Sequence, residues 1–61
     1  MNRREVRVFI HPEKPHIYVL EFWLAHDTDT PTSEYLGHWP CEIATLMGFI
    51  VDWLVRGIRP L

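Results

Sequence analysis

The segment from Pro40 to Arg56 constrains the fold more than any other stretch, because it predicts a helix that is apolar around most of its circumference. At about 100° per residue, its apolar side chains span an arc of roughly 200°, whereas a surface helix needs a stripe of roughly 100°. That arc contains Ile43, Ala44, Leu46, Met47, Ile50, Val51, Trp53, Leu54 and Val55, while Phe49 falls among the polar positions. The predicted helix therefore has more apolar surface than one small sheet can cover.

Both ends of this helix carry sequence signals. Pro40 is predicted at the first helical position, where its missing N–H costs no hydrogen bond. Gly57 is predicted to close the helix as a left-handed cap, with Pro60 shortly beyond it. Gly48 in mid-helix costs about 1 kcal/mol relative to alanine, which suggests that another backbone approaches closely there.

Two strands precede the helix. The segments 5–11 and 16–26 are rich in β-branched and aromatic residues, and the Pro-Glu-Lys-Pro turn at 12–15 separates them. A four-residue loop would pair Ile10 with Ile17 and define the two faces of the hairpin. One face would carry Val6, Val8, Ile10, Ile17, Val19 and Trp23, and the other Phe9, Tyr18, Leu20, Phe22 and Leu24. A loop of odd length would change the partners, because a one-residue slip exchanges the faces.

A third strand is predicted over Glu34 to Trp39, after a polar loop at 27–33, with Gly37 as a bulge. The chain is therefore predicted to form a single α+β domain spanning residues 1–61. Its architecture is βββα, with a small antiparallel sheet packed against one long C-terminal helix.

The small size of the chain favours association with a protein partner. A chain of 61 residues buries only about 60% of its unfolded surface, and Cys41 as the single cysteine rules out an internal disulfide. Each large apolar side chain left exposed forgoes roughly 1.5–3 kcal/mol of burial. We therefore predict a protein partner, either a second copy in a homodimer or a larger host protein. The predicted interface residues are Met47, Val51 and Val55 on the helix and Phe9, Tyr18, Leu20 and Phe22 on the sheet.

The charge balance argues against a general nucleic-acid binder. The formal net charge is -2, and the chain has one lysine, Lys14. An alternative function is single-strand nucleic-acid binding, with bases stacked on Phe9, Tyr18 and Phe22 on an open sheet face. That mode normally surrounds the aromatic side chains with lysines or arginines, and the single lysine of this chain makes it the less favoured interpretation.

The sequence contains two candidate chemical sites. His11 and His16 flank the predicted turn with Glu13 between them, but a closed zinc site needs four ligands, so we predict no metal. Cys41 near a helix N-terminus would have a lowered pKa, with His38 three residues before it as a base. Nothing in the sequence specifies an oxyanion hole or a pocket. We therefore predict no enzymatic activity, no cofactor and no small-molecule substrate.

The sequence also suggests a compartment and a class. No apolar stretch of signal-peptide type follows the N-terminus, and the apolar run at 43–55 has about 13 residues where a membrane span needs roughly 20. We expect a soluble, cytoplasmic protein. Small single-domain chains without catalytic motifs resemble the accessory proteins of phages and mobile elements that block host machinery. This analogy implies a non-enzymatic inhibitor of a host protein or complex.

Overall fold

The computed structural model describes residues 2–60 and contains one antiparallel sheet and one helix. The strands are β1 (Asn2–Ile10), β2 (Ile17–His26) and β3 (Thr32–Glu42), in the spatial order β1-β2-β3. The helix α1 (Ile43–Val51) continues without interruption into a π-helical turn over Asp52–Arg56. The predicted βββα architecture of the α+β class is confirmed.

The hairpin register differs from the one predicted with a four-residue loop. Ile10 lies opposite Tyr18, and Val8 lies opposite Leu20. The loop covers positions 12–16, an odd number, and is closed by a hydrogen bond of 2.8 Å from the His11 N–H to the Ile17 carbonyl oxygen. The four-residue register is therefore wrong, and the faces are exchanged as an odd loop requires.

β3 is longer than predicted and takes residues that the helix was expected to contain. It runs to Glu42, so the helix begins at Ile43 and the prediction of a start at Pro40 is wrong. Pro40 lies opposite Val19 on an edge strand, where its missing N–H removes no bond to β2. The bulge predicted at Gly37 is confirmed, because two β3 residues lie opposite one β2 residue there and Gly37 has a φ of 119°.

The core forms between the helix and one face of the sheet. Leu20 and Phe22 in the central strand are fully buried. The Trp53 ring meets Phe22 edge-on, with 5.7 Å between ring centroids, and its indole N–H donates to the Glu5 carbonyl oxygen at 2.8 Å. Leu46 and Cys41 complete this buried cluster.

The buried side of the helix is rotated from the predicted one. Phe49, placed among the polar positions by the sequence, packs against the core together with Ile50. Ile43 and Leu54, which belong to the predicted apolar arc, are exposed. The sheet thus contacts the side of the helix that carries residues 46, 49, 50 and 53. A continuous apolar flank of the helix, next to that side, is left uncovered.

Arg4 closes the C-terminal end of the helix. Its guanidinium group donates to the carbonyl oxygens of Leu54 and Val55, both at 3.3 Å, which are acceptors that the helix itself leaves unpaired. Gly57 adopts the left-handed conformation with a φ of 69°, and its N–H bonds to the Trp53 carbonyl oxygen. The prediction for Gly57 is confirmed, whereas no sequence signal indicated the contact from Arg4.

The two helix-associated glycines should respond to alanine in opposite directions. At Gly57 a Cβ would lie 3.1 Å from Arg4 Nη1 in a left-handed backbone, so we expect Gly57→Ala to lower the free energy of unfolding by about 1–2 kcal/mol. At Gly48 a Cβ would meet none of the described atoms within 4 Å, so the suggested backbone approach is wrong for contacts within the chain. Gly48→Ala should raise the stability by about 1 kcal/mol. Urea denaturation followed by circular dichroism measures both, and a loss of stability in Gly48→Ala would contradict the placement of Gly48.

Candidate functional site

The helix crosses the sheet diagonally and leaves one corner uncovered. It begins at Ile43, next to the C-terminal end of β3, and its last turns reach Glu5 near the start of β1 through Trp53. The second half of β1 lies outside this path. Val8 and Ile10, which share the helix-facing side of the sheet, therefore remain 44% and 64% exposed.

The helix directs an apolar flank toward that corner. The His11 N–H donates to the Ile17 carbonyl oxygen. The backbone groups of Ile17 and of every second β2 residue after it therefore bond to β1, whereas those of Tyr18 and of every second residue after it bond to β3. In a strand of L-residues, this alternation of backbone groups places β1 to the left of β2 when the sheet is viewed from the helix side with β2 pointing upward. A right-handed helix running from lower right to upper left then has one flank facing the second half of β1. The exposed apolar residues of this flank are Ile43, Met47, Val51, Leu54 and Val55.

These residues form one site, which we call the β1-side surface: Val8 and Ile10 as its floor, and the apolar flank of the helix as its wall. The opposite flank of the helix is polar and includes Thr45 and the ion pair between Arg56 and Asp52 at 2.6 Å. The asymmetry between the two flanks shows that the exposed apolar side chains of the helix lie on one flank.

The interface residues predicted on the helix lie on the β1-side surface. Met47 is 64% exposed, Val55 is 69% exposed and Val51 is also exposed, so all three are accessible to a partner. Val8, Ile10, Ile43 and Leu54 are also exposed on this surface and were not among the predicted interface residues. The signal that could have found Val8 and Ile10 is the alternation of β1, but it does not say which part of the strand the helix covers.

The interface residues predicted on the sheet require correction. Leu20 and Phe22 are fully buried under the helix, so their prediction as interface residues is wrong. Tyr18 is half-buried on the same side and packs against the core. Phe9 alone lies on the open face, where it is 49% exposed. The cause is the odd-length loop, which turned the even-numbered residues of β2 toward the helix.

The open face carries a cluster whose polar groups largely satisfy one another. The Arg7 guanidinium lies over the Trp23 ring at 4.0 Å, and the Trp23 indole N–H donates to Glu21 Oε1 at 3.1 Å. The Tyr35 hydroxyl and His38 Nδ1 are hydrogen-bonded at 2.6 Å. Trp23 was expected on the aliphatic side of the hairpin and lies here instead. Of the three side chains proposed to stack nucleic-acid bases, only Phe9 is on this face.

Cys41 and His38 lie on opposite faces of the sheet. Cys41 is buried opposite Tyr18 on the helix side, whereas His38 is opposite Glu21 on the open side. Burial raises the pKa of the Cys41 thiol above its ordinary value, and a hydrogen bond with Thr45 opposes that shift only in part. The thiol is therefore protonated at neutral pH and acts as a small apolar group in the core.

His11 serves the turn itself. His11 Nδ1 accepts the backbone N–H groups of Glu13 at 3.1 Å and Lys14 at 3.2 Å. Within residues 2–60, no group of three or more histidine, cysteine, aspartate or glutamate side chains is placed to hold a metal ion.

No protein-family model, curated protein or solved structure matches the chain. Across the part of the chain that the structure describes, no helix has the length and apolar character needed to cross a membrane.

Proposed function

We propose that this protein is a non-enzymatic protein-binding module that acts through the β1-side surface. The observation that supports the proposal is the gathering of exposed aliphatic side chains on one helix flank and the adjoining corner of β1. A domain of this size has a stability of only about 3–9 kcal/mol, and each exposed large apolar side chain forgoes roughly 1.5–3 kcal/mol. A partner that covers this surface recovers part of that energy.

The chemistry of the surface favours a protein over the other classes of ligand. Its side chains are all aliphatic or methionine, so it offers nothing to neutralise phosphate groups, which nucleic-acid binding requires. It also brings together no group that titrates or acts as a nucleophile. Apolar side chains at helical spacing beside a strand instead suit the packing of another protein's apolar elements.

Two kinds of protein partner fit this proposal. A second copy is the simpler one, because two-fold symmetry uses the same surface twice. A larger host protein, blocked as the phage-type inhibitor analogy suggests, would use the same helix flank. In either case the binding residues are those of the β1-side surface, and the protein needs no cofactor.

The proposal is tested by placing one charge on each flank of the helix. Val51→Glu puts a carboxylate on the apolar flank, and Thr45→Glu puts the same group on the polar flank of the same helix. We expect Val51→Glu to weaken association by about 10- to 100-fold, because the charge must be desolvated in the complex, while Thr45→Glu associates as wild type. Circular dichroism should show both variants folded.

Association is measured by sedimentation of the purified chain and by comparing what each variant captures from the cell of origin. Met47→Glu provides a second charge on the apolar flank, at a site more exposed than Val51. Equal association of all three variants and wild type would contradict the proposal. Unfolding of both Val51→Glu and Met47→Glu would also contradict it, since the flank would then be part of the core.

A further inference from the structure

We propose that β1 is the contact between two copies of this chain. The two β1 strands pair antiparallel about a two-fold axis at Val8, joining two three-stranded sheets into one of six strands. The apolar flank of each helix then covers the Val8 and Ile10 corner of the other copy. This inference rests on the proposed protein-binding function and names its partner.

The outer edge of β1 has backbone groups that are free to pair. The hydrogen bond from the His11 N–H to the Ile17 carbonyl oxygen makes Ile10 and Tyr18 a non-hydrogen-bonded pair. By the alternation of an antiparallel ladder, the N–H and C=O groups of Val6, Val8 and Ile10 point away from β2. Val6, Val8 and Ile10 thus present both their backbone groups to the edge and their side chains to the helix side.

The other edge of the sheet is more strongly protected than the second half of β1. β3 contains Pro40 and the bulge at Gly37, and its Leu36 carbonyl oxygen accepts a hydrogen bond from Arg59. Proline, bulges, charged side chains and covering contacts are devices that prevent an edge strand from pairing, and the charged residues of β1 lie in its first half except for Arg7. β1 has neither proline nor glycine over Asn2–Ile10 and no register irregularity along β2. Sheet extension is therefore possible at β1 and blocked at β3.

The side chains favour an axis at Val8 over an axis at Arg7 or Val6. An axis at Arg7 would place two arginines directly opposite each other, which is destabilising. An axis at Val6 would place Arg4 opposite Val8, although the Arg4 guanidinium is held by the helix carbonyl groups. An axis at Val8 places Val6 opposite Ile10 of the second copy and the two Val8 residues opposite each other. On the helix side this register pairs aliphatic residues only.

The same register also suits the open face. It places Arg7 opposite Phe9 of the second copy, on the side of the sheet where Arg7 already lies over the Trp23 ring. Phe9 is 49% exposed, and a neighbouring guanidinium and strand would cover it. The two-fold axis therefore gives two such pairs of Arg7 opposite Phe9, one on each side of the axis.

The helices complete the contact. The end of each helix lies beside Glu5, which Trp53 contacts. With the axis at Val8, Ile10 of the second copy lies opposite Val6, one residue from that helix end. The flank around Leu54 then packs against the second copy's Ile10, and the uncovered corner of each chain is filled by the other.

The register is tested by cysteine cross-linking in a Cys41→Ala background. With the axis at Val8, the two Val8 Cα atoms lie about 5.5 Å apart, within the roughly 4.4–6.8 Å that a disulfide spans. The two Ile10 residues are four positions out of register and lie about 13 Å apart along the strands. We expect Val8→Cys to form disulfide-linked dimers on the order of tenfold faster than Ile10→Cys under mild oxidation.

Ile10→Cys is a stringent control because Ile10 is more exposed than Val8, so chance collisions would favour it. A mixture of Val6→Cys and Ile10→Cys chains should also cross-link, since these two residues face each other. Faster cross-linking of Ile10→Cys than of Val8→Cys would overturn the register. A monomeric mass for wild type at micromolar concentration, with no cross-linking, would overturn the proposal that the partner is a second copy of this chain. The helix-charge variants decide separately whether the flank binds another protein.

Discussion

Replacing Trp53 with alanine is expected to unfold a large part of the population at 25 °C. Trp53 is 5% exposed, packs edge-on against Phe22, and donates its indole N–H to the Glu5 carbonyl oxygen. Truncation of a buried tryptophan costs about 3–5 kcal/mol, because transfer energy is lost and a cavity is left. A chain of this length has about 3–9 kcal/mol in total, so the loss is a large share of its stability.

Trp39→Ala is the matched control, since Trp39 is the same residue type on edge strand β3 and is 36% exposed. We expect Trp39→Ala to cost less than half as much as Trp53→Ala, because less of its ring is removed from water. Urea denaturation followed by circular dichroism gives both values. Equal losses in the two variants would show that the helix does not hold Trp53 in the core as described.

Phe22→Ala is expected to cost about 3–5 kcal/mol, while Phe9→Ala should change the stability by less than about 1 kcal/mol. The two residues are the same type on neighbouring strands, but Phe22 is fully buried and Phe9 lies half-exposed on the open face. With a four-residue hairpin loop the two side chains would share one face. The pair therefore tests the register of the sheet through stability alone.

The comparison is made by urea denaturation at several protein concentrations, so that association and folding are separated. A large loss in Phe9→Ala at low concentration would contradict the described faces. A loss that appears only at high concentration would instead report on the edge of β1, where Phe9 lies. Similar small losses in both variants would contradict the burial of Phe22.

The sequence predicted the elements but not how the strands align. Alternation in β1, the two prolines of the turn and Gly57 at the helix end are local signals, and all three correspond to features of the structure. The register was not predictable because β2 is apolar on both sides, so the hydrophobic pattern gives no preference for either face. The number of loop residues decided it, and the two prolines do not specify that number.

The start of the helix was also undetermined locally. Pro40 is compatible with the first turn of a helix and with an edge strand, and no side chain ahead of it acts as a cap. Pairing with Val19 on β2 extends β3 to Glu42 and moves the start to Ile43. Whether Pro40 belongs to a strand or a helix therefore depends on pairing with the neighbouring strand, and the residues around Pro40 carry no signal of that pairing.

The sequence by itself determined that the last helix has more apolar surface than its own sheet can cover, because composition and helical periodicity fix the width of that arc. Only the tertiary structure decided which part stays exposed and what adjoins it. The helix leaves the end of β3 and reaches the start of β1, so its diagonal path buries Leu20 and Phe22 and leaves Val8 and Ile10 uncovered. The direction of that path follows from strand order and register, which are long-range properties of the chain.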